Sequence, residues 1–213
     1  MRIHALIPVK ELANAKSRLM PPFSDDERAT LTLEMLRHVV AVAQESGAFA
    51  RITVVSPDTA VLDVVKALGV SVLRQQTTGL NPALDEARAD ARLHGAEAAL
   101  VLHADLPHLK AAEITAMVGL LPVSPAVVIA PDYTGSGTNA LLTAPPDAIS
   151  FYFGSGSFLR HIAAAEQRGL PYRIAHAPGI AGDVDTPDDV RERVVGSQNE
   201  EPITDYWLPE EVK

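Results

Sequence analysis

Apolar residues along this chain fall into two alternating patterns. Short runs of four to six, each closed by a turn residue, read as buried strands: Ile3–Pro8, Ile52–Ser56, Val70–Leu73, Ala98–His103 and Ala126–Ala130. Between them lie stretches with helical spacing. Ser24-Asp-Asp-Glu27 is a capping box ahead of Leu31, Met35, Val39 and Val42, with Gly47 at the end. Asp58 or Thr59 caps a second helix, which runs to Leu68. Asn81 is predicted as the N-cap of a third, with Pro82 in its first turn and an end near His94. Glu113–Leu121 is a fourth, Ser157 caps a fifth, and Thr186 followed by Pro187 opens the last. Strands alternating with helices predict an α/β fold of three layers, a mostly parallel sheet with helices on both faces. One domain over residues 1–195 and an acidic tail over 196–213 are expected. Tyr206 and Trp207 are candidate anchors in that tail, and a homodimer contact is one use for them.

The fourth strand is the informative one. Leu100-Val-Leu-His-Ala-Asp-Leu-Pro107 runs from apolar residues straight into one carboxylate, Asp105. Ligands in open α/β sheets sit beyond the carboxyl ends of strands, so Asp105 falls where a ligand should be. Asp105 could equally do no more than turn the chain. Lys10, Lys16 and Arg18 follow the first strand, on the same edge.

Composition narrows the chemistry. With 213 residues, 47% hydrophobic and 21% charged, the chain is an ordinary globular protein. It has no cysteine, which excludes disulfides, thiolate metal sites and a cysteine nucleophile. A net charge of -9 argues against nucleic-acid and membrane partners. No signal segment or membrane-spanning run is legible, so a cytoplasmic location is expected. An acidic protein that handles anionic substrates must gather cations locally.

Three further stretches could carry chemistry. Asp132-Tyr-Thr-Gly-Ser-Gly-Thr-Asn139 lies between two strands; Gly135 and Gly137 could aim N–H groups at an anion, with hydroxyls from Thr134, Ser136 and Thr138. It is neither a Walker loop nor a dinucleotide fingerprint. Phe151-Tyr-Phe-Gly-Ser-Gly-Ser157 leads into a helix, where Gly154 and Gly156 would leave backbone N–H groups free for an anion. His161, one turn in, reads as packing or surface. In Gly182-Asp-Val-Asp-Thr-Pro-Asp-Asp189 the last two acids suit a helix N-terminus, whereas Asp183 and Asp185 precede the cap. If one of them faces Asp105, two carboxylates ~4 Å apart repel by roughly 4 kcal/mol, which calls for a hard cation such as magnesium. Together the pieces suit magnesium-dependent nucleotidyl transfer.

Pro8-Val-Lys10, Ala15-Lys-Ser-Arg-Leu19, Gly79-Leu-Asn81, Ala104-Asp-Leu-Pro107, Gly137-Thr-Asn-Ala-Leu141, Phe153-Gly-Ser-Gly-Ser-Phe158 with His161, and Asp183-Val-Asp-Thr-Pro-Asp-Asp189 occur together and in order. The set resembles the guanylyltransferases of deazaflavin coenzyme F-420 biosynthesis, which act on 2-phospho-L-lactate or phosphoenolpyruvate. The resemblance implies a nucleotide-diphospho-sugar transferase fold of the glycosyltransferase-A type. It implies GTP and a small phosphorylated three-carbon acid as substrates, phosphoenolpyruvate being preferred here, with magnesium as cofactor. It assigns Thr138, Gly154 and Ser157 to the acid, Asp105 and Asp185 to the metal with Asp183 competing, and Lys10, Lys16, Gly79 and Asn81 to the nucleotide, whose leaving pyrophosphate Lys16 or Arg18 could hold. Lys16 joins Asp105 and Asp185 as a catalytic candidate. Another nucleotidyltransferase, of molybdenum-cofactor or sugar-phosphate type, and a nonenzymatic nucleotide-binding module are the alternatives.

Overall fold

The computed structural model describes residues 1–20 and 23–193. The expected boundary at 195 and the tail with Tyr206 and Trp207 lie outside them. Among the described residues seven strands form one sheet: β1 (Ile3–Pro8), β2 (Arg51–Ser56), β3 (Ser71–Arg74), β4 (Ala98–Leu102), β5 (Ala126–Pro131), β6 (Thr138–Ala144) and β7 (Tyr172–Ile174). Their order is β3-β2-β1-β4-β6-β5-β7. All neighbours are parallel except β6, which runs against both β4 and β5. The sheet is thus mostly parallel, as the alternation predicts. The reversal at β6 matters: its first residue, Thr138, starts at the edge where β1, β2 and β4 end.

Helices α1 (Asp25–Glu45), α2 (Thr59–Lys66), α3 (Leu80–Leu93), α4 (Ala111–Gly119), α5 (Ser157–Gln167), α6 (Pro178–Ala181) and α7 (Pro187–Arg193) complete the fold. One face of the sheet packs Ile7, Leu100 and Val128 against α1, α2 and α4 through Leu36, Val40, Val61 and Met117. The other packs Leu6, Val101 and Ile129 against α3 and α5 through Leu84, Ala87 and Ala165. The alternation along each strand feeds both layers, since successive side chains point to opposite faces. Among the described residues no helix is long and apolar enough to cross a membrane.

Two predicted caps move. Helix α3 starts at Leu80 behind Gly79, which stands at φ 104°, so Asn81 is inside the first turn and caps nothing. Helix α5 starts at Ser157 behind Gly156 at φ 69°. Both starts need the left-handed region that glycine enters without cost, and a glycine outranks a polar side chain as the boundary residue there. The box at Ser24–Glu27 forms as expected, and Thr186 caps the last helix as expected, with Asp189 returning the bond to the Thr186 N–H. Strand β7 has no counterpart in the sequence pattern, being three residues at the sheet edge.

Candidate active site

A cleft of about 750 Å³ opens along the carboxyl edge of β1–β4. Its walls come from the β1–α1 loop, the Gln75–Leu80 turn, the end of β4, both glycine loops and the late acidic segment.

The β1–α1 loop is two short turns, Leu12–Asn14 and Ser17–Leu19, with Lys16 between them at φ 52°. A left-handed lysine is uncommon and costs strain unless the surroundings hold it. Here the buried Arg28 guanidinium donates to the Ala15 carbonyl at 2.5 Å, and Leu19 joins Phe23, Leu31, Met35, Val184 and Val190 in a small core. That core contains residues of both the basic loop and the acidic segment, so it brings the two together. The Val184 N–H donates to the Asp105 carbonyl at 3.2 Å, laying the acidic segment beside the end of β4.

The Lys16 ammonium therefore sits between carboxylates. It is hydrogen-bonded to Asp105 and lies 3.1 Å from Asp185, with its side chain 8% exposed. Burial pulls the Lys16 pKa down, but Asp105 and Asp185 outweigh it and hold the amine above its ordinary value. Burial likewise opposes the Asp105 charge, and Lys16 overrides it, keeping that carboxyl below its usual range. Arg18 reaches Asp185 at 3.3 Å from the exposed rim, and Lys10 stands exposed at the mouth. Asp183 is placed differently: Asn139 donates to it at 3.0 Å, while burial pushes its pKa up. Asp105 and Asp185 thus share one cation, and Asp183 stands to the side.

Charge on the cleft wall has a consequence. Three cationic side chains, Lys10, Lys16 and Arg18, face five carboxylates, those of Glu11, Asp105, Asp132, Asp183 and Asp185. Such a wall repels a polyphosphate unless a cation comes with it. Among the described residues the buried Asp105 Oδ1 has no hydrogen-bond partner, an arrangement that costs free energy until a donor or cation arrives. No group of three or more His, Cys, Asp or Glu side chains among the described residues could hold a metal alone. Two carboxylates completed by substrate phosphates and water is the pattern magnesium takes, so these residues fit it.

Part of the N–H supply expected to be free in the glycine loops is used within them. The Asp132 carboxylate accepts from the Thr134 hydroxyl and the Ser136 N–H, both at 2.9 Å, and so spends two donors predicted for an anion. In the second loop the Ser157 N–H goes to the Gly154 carbonyl at 3.0 Å and the Phe158 N–H to the Ser136 carbonyl at 3.2 Å. The last bond ties the two loops into one wall. Thr138, Gly154 and Ser157 remain together on it, with Thr138 and Ser157 almost fully buried. Gly154 stands at φ 117°, where a side chain would be strained.

Gly79 lines the cleft, but Asn81 does not. The Asn81 amide accepts from the Phe153 N–H at 2.8 Å and donates to the Phe153 carbonyl at 3.1 Å, clamping the second glycine loop. Two residues, Asn139 and His103, escaped the sequence reading, and His161, read there as packing or surface, proves to be packed inside. Asn139 holds the Ile180 carbonyl at 2.9 Å as well as Asp183. His103 lines the cleft with its ring 5.4 Å from that of Phe153. His161 is fully buried behind Thr138. Each stood inside a quoted motif, but its partner is far away in sequence, so no local signal marked it.

Fold and cleft define a nucleotidyltransferase-type α/β protein. A nucleotide-diphospho-sugar transferase from Desulfovibrio desulfuricans superposes with TM-score 0.70 at 17% identity, over 93% of this chain and 90% of that one. A nucleotidyl transferase from Methanothermobacter gives 0.61 at 18% identity, over 88% and 94%. The chain belongs to the family of CofC-like guanylyl transferases, whose pattern matches residues 3–206. It is 47% identical over 190 residues to the phosphoenolpyruvate guanylyltransferase of Rubrobacter xylanophilus, covering 89% of this chain and 92% of that one. It is 31% identical, over 89% and 90%, to the 3-phospho-D-glycerate guanylyltransferase of Colwellia psychrerythraea.

Proposed function

We propose that this guanylyltransferase moves the GMP unit of GTP onto the phosphate of phosphoenolpyruvate, giving enolpyruvyl-diphospho-guanosine and pyrophosphate. One observation carries the residue assignment: the Lys16–Asp105–Asp185 cluster opens onto the same cleft as the Thr138–Gly154–Ser157 wall. Relatives 35–47% identical that bear the phosphoenolpyruvate name support the acceptor.

In the reaction an oxygen of the acceptor phosphate bonds to the α-phosphorus of GTP. The bond from that phosphorus to the β-phosphate oxygen breaks, and its electron pair leaves with pyrophosphate. The second pKa of a phosphate monoester is about 6, so the nucleophile is already ionised near neutral pH and no general base is required. The task is to bring two anions into line. Magnesium held by Asp105 and Asp185, with Asp183 nearby, would supply the positive charge that the cleft wall lacks. Lys16 turns its ammonium to the leaving pyrophosphate and balances its charge, with no bond or proton transferred. Arg18 and Lys10 meet the outer phosphates at the rim, and Gly79 lets the backbone approach the nucleoside. Asn81 acts through Phe153 rather than on the nucleotide. The Thr138 and Ser157 hydroxyls and the Gly154 backbone receive the acid.

Pyrophosphate release from GTP and magnesium, run separately with phosphoenolpyruvate, 2-phospho-L-lactate and 3-phosphoglycerate, tests the proposal. Release with phosphoenolpyruvate at the highest kcat/KM is expected. Preference for either other acid refutes the acceptor, and no release with any acid refutes the transfer.

A further inference from the structure

The acceptor wall contains a hydrogen-bond chain whose direction is set by the backbone. The Tyr152 N–H donates to His161 Nε2 at 3.0 Å. A backbone N–H can only donate, so Nε2 must carry a lone pair. His161 is fully buried, and burial, with Arg160 and His103 nearby, lowers its pKa to about 4, so the ring is neutral. A neutral imidazole without a proton on Nε2 has it on Nδ1. The Nδ1 atom lies 3.0 Å from Thr138 Oγ1. With Nδ1 as donor, the threonine oxygen is the acceptor there, and its own proton is left over. The Thr138 hydroxyl has no other hydrogen-bond partner among the described residues, and the residue lines the cleft.

We infer that His161 is a positioning residue for acceptor binding: Tyr152 fixes its tautomer, and its Nδ1–H turns the Thr138 hydroxyl proton into the cleft to donate to an anionic oxygen of the phospho-acid. The inference rests on the acceptor reading of Thr138 given above. In the opposite tautomer the hydroxyl proton would be spent on Nδ1, and the face turned to the acid would be an oxygen lone pair, which repels an anion. A catalytic role is not involved, since His161 touches Thr138 and not the acid. The ring also packs edge-on against Phe153, with centroids 4.9 Å apart, so the relay and the loop clamped by Asn81 form one rigid unit.

Two measurements on the full chain test this. Nitrogen-resolved NMR of the histidine side chains in wild type should show His161 protonated on Nδ1 and bare on Nε2. A proton on Nε2 overturns the inference whatever the substrate is. Second, His161→Gln places its amide near the Nε2 position, where it can still accept from Tyr152 but gives Thr138 no donor. His161→Asn keeps an amide donor near the Nδ1 position. In His161→Gln the acceptor KM should rise about tenfold to a hundredfold, the scale of a lost hydrogen bond to a charged group, with GTP KM unchanged. His161→Asn should stay within about threefold of wild type, and adding His161→Gln to Thr138→Val should raise the acceptor KM less than about twofold further. Equal loss in both His161 variants, or equal movement of GTP KM, would reduce His161 to packing. An acid that fails to bind wild type at all sinks the acceptor reading and the ligand half of this inference, while leaving the NMR result to judge the tautomer.

Discussion

Lys16→Met tests the charge arrangement most severely. The ammonium is buried against Asp105 and lies 3.1 Å from Asp185. Asp185 is 44% exposed, so solvent screens most of what it would lose. The Asp105 side chain is 23% exposed, but its Oδ1 is buried and lacks a hydrogen-bond partner among the described residues. Removing the lysine leaves a buried carboxylate with no counter-charge, a change that costs about 3–5 kcal/mol. That is a large part of a typical domain stability of about 5–15 kcal/mol. Urea unfolding at pH 7 without divalent ions should show the loss as a lower midpoint with the slope unchanged. The paired variant Lys16→Met/Asp105→Asn removes both charges and should recover most of it, because deleting both partners is far cheaper than orphaning one. Magnesium should stabilise Lys16→Met more than wild type, since it binds only the folded carboxylate pair. A Lys16→Met protein as stable as wild type, or a paired variant no better than the single one, refutes the reasoning.

Other consequences follow from the same geometry. His161 has a folded pKa of about 4 against an ordinary 6.5, so between these values the unfolded chain takes up a proton that the folded chain refuses. Stability should fall as pH drops through that window, by roughly 3 kcal/mol in full, and His161→Asn should lose this slope in urea titrations at stepped pH. Asn81→Ala breaks both bonds to the Phe153 backbone; a loss of about 1–3 kcal/mol in unfolding and a raised acceptor KM are expected, with GTP KM little changed. In Gly137→Ala the new Cβ would lie 2.8 Å from Asp132 Oδ2, forcing away the carboxylate that organises the first glycine loop. Its acceptor KM should rise and its melting temperature fall, and an alanine variant indistinguishable from wild type would contradict the loop's role.

Strand and helix order was legible because burial on both faces of a mostly parallel sheet writes itself as uninterrupted apolar runs, such as Ala98–Leu102. The antiparallel turn at β6 was not, because direction leaves no mark on an apolar run. The caps at Asn81 and Ser157 were misplaced because side-chain propensity competes with the glycine just before each, and Gly79 and Gly156 took the left-handed positions. At the site, Asp105 and Lys16 stood out as charges beside apolar strands. The spacing of Asp183 and Asp185 left the choice between them open. The contacts that separate them are Lys16 on Asp185 and Asn139 on Asp183, bridging 169 and 44 positions of sequence. Among the N–H groups of the glycine loops, those of Ser136, Ser157 and Phe158 are consumed locally, by Asp132 and by the Gly154 and Ser136 carbonyls. Short polar side chains satisfy nearby backbone whenever they can reach it, and reach depends on a loop geometry that composition does not encode.

In the proposed reaction the phosphate of the acid is the nucleophile at the α-phosphorus of GTP. Phosphoenolpyruvate carrying heavy oxygen in its phosphate, turned over with unlabelled GTP and magnesium, tests it directly by mass spectrometry of the products. All of the label should appear in enolpyruvyl-diphospho-guanosine, and none in pyrophosphate. Label in pyrophosphate, or GMP formed without the joined product, would rule out attack by the acid's phosphate.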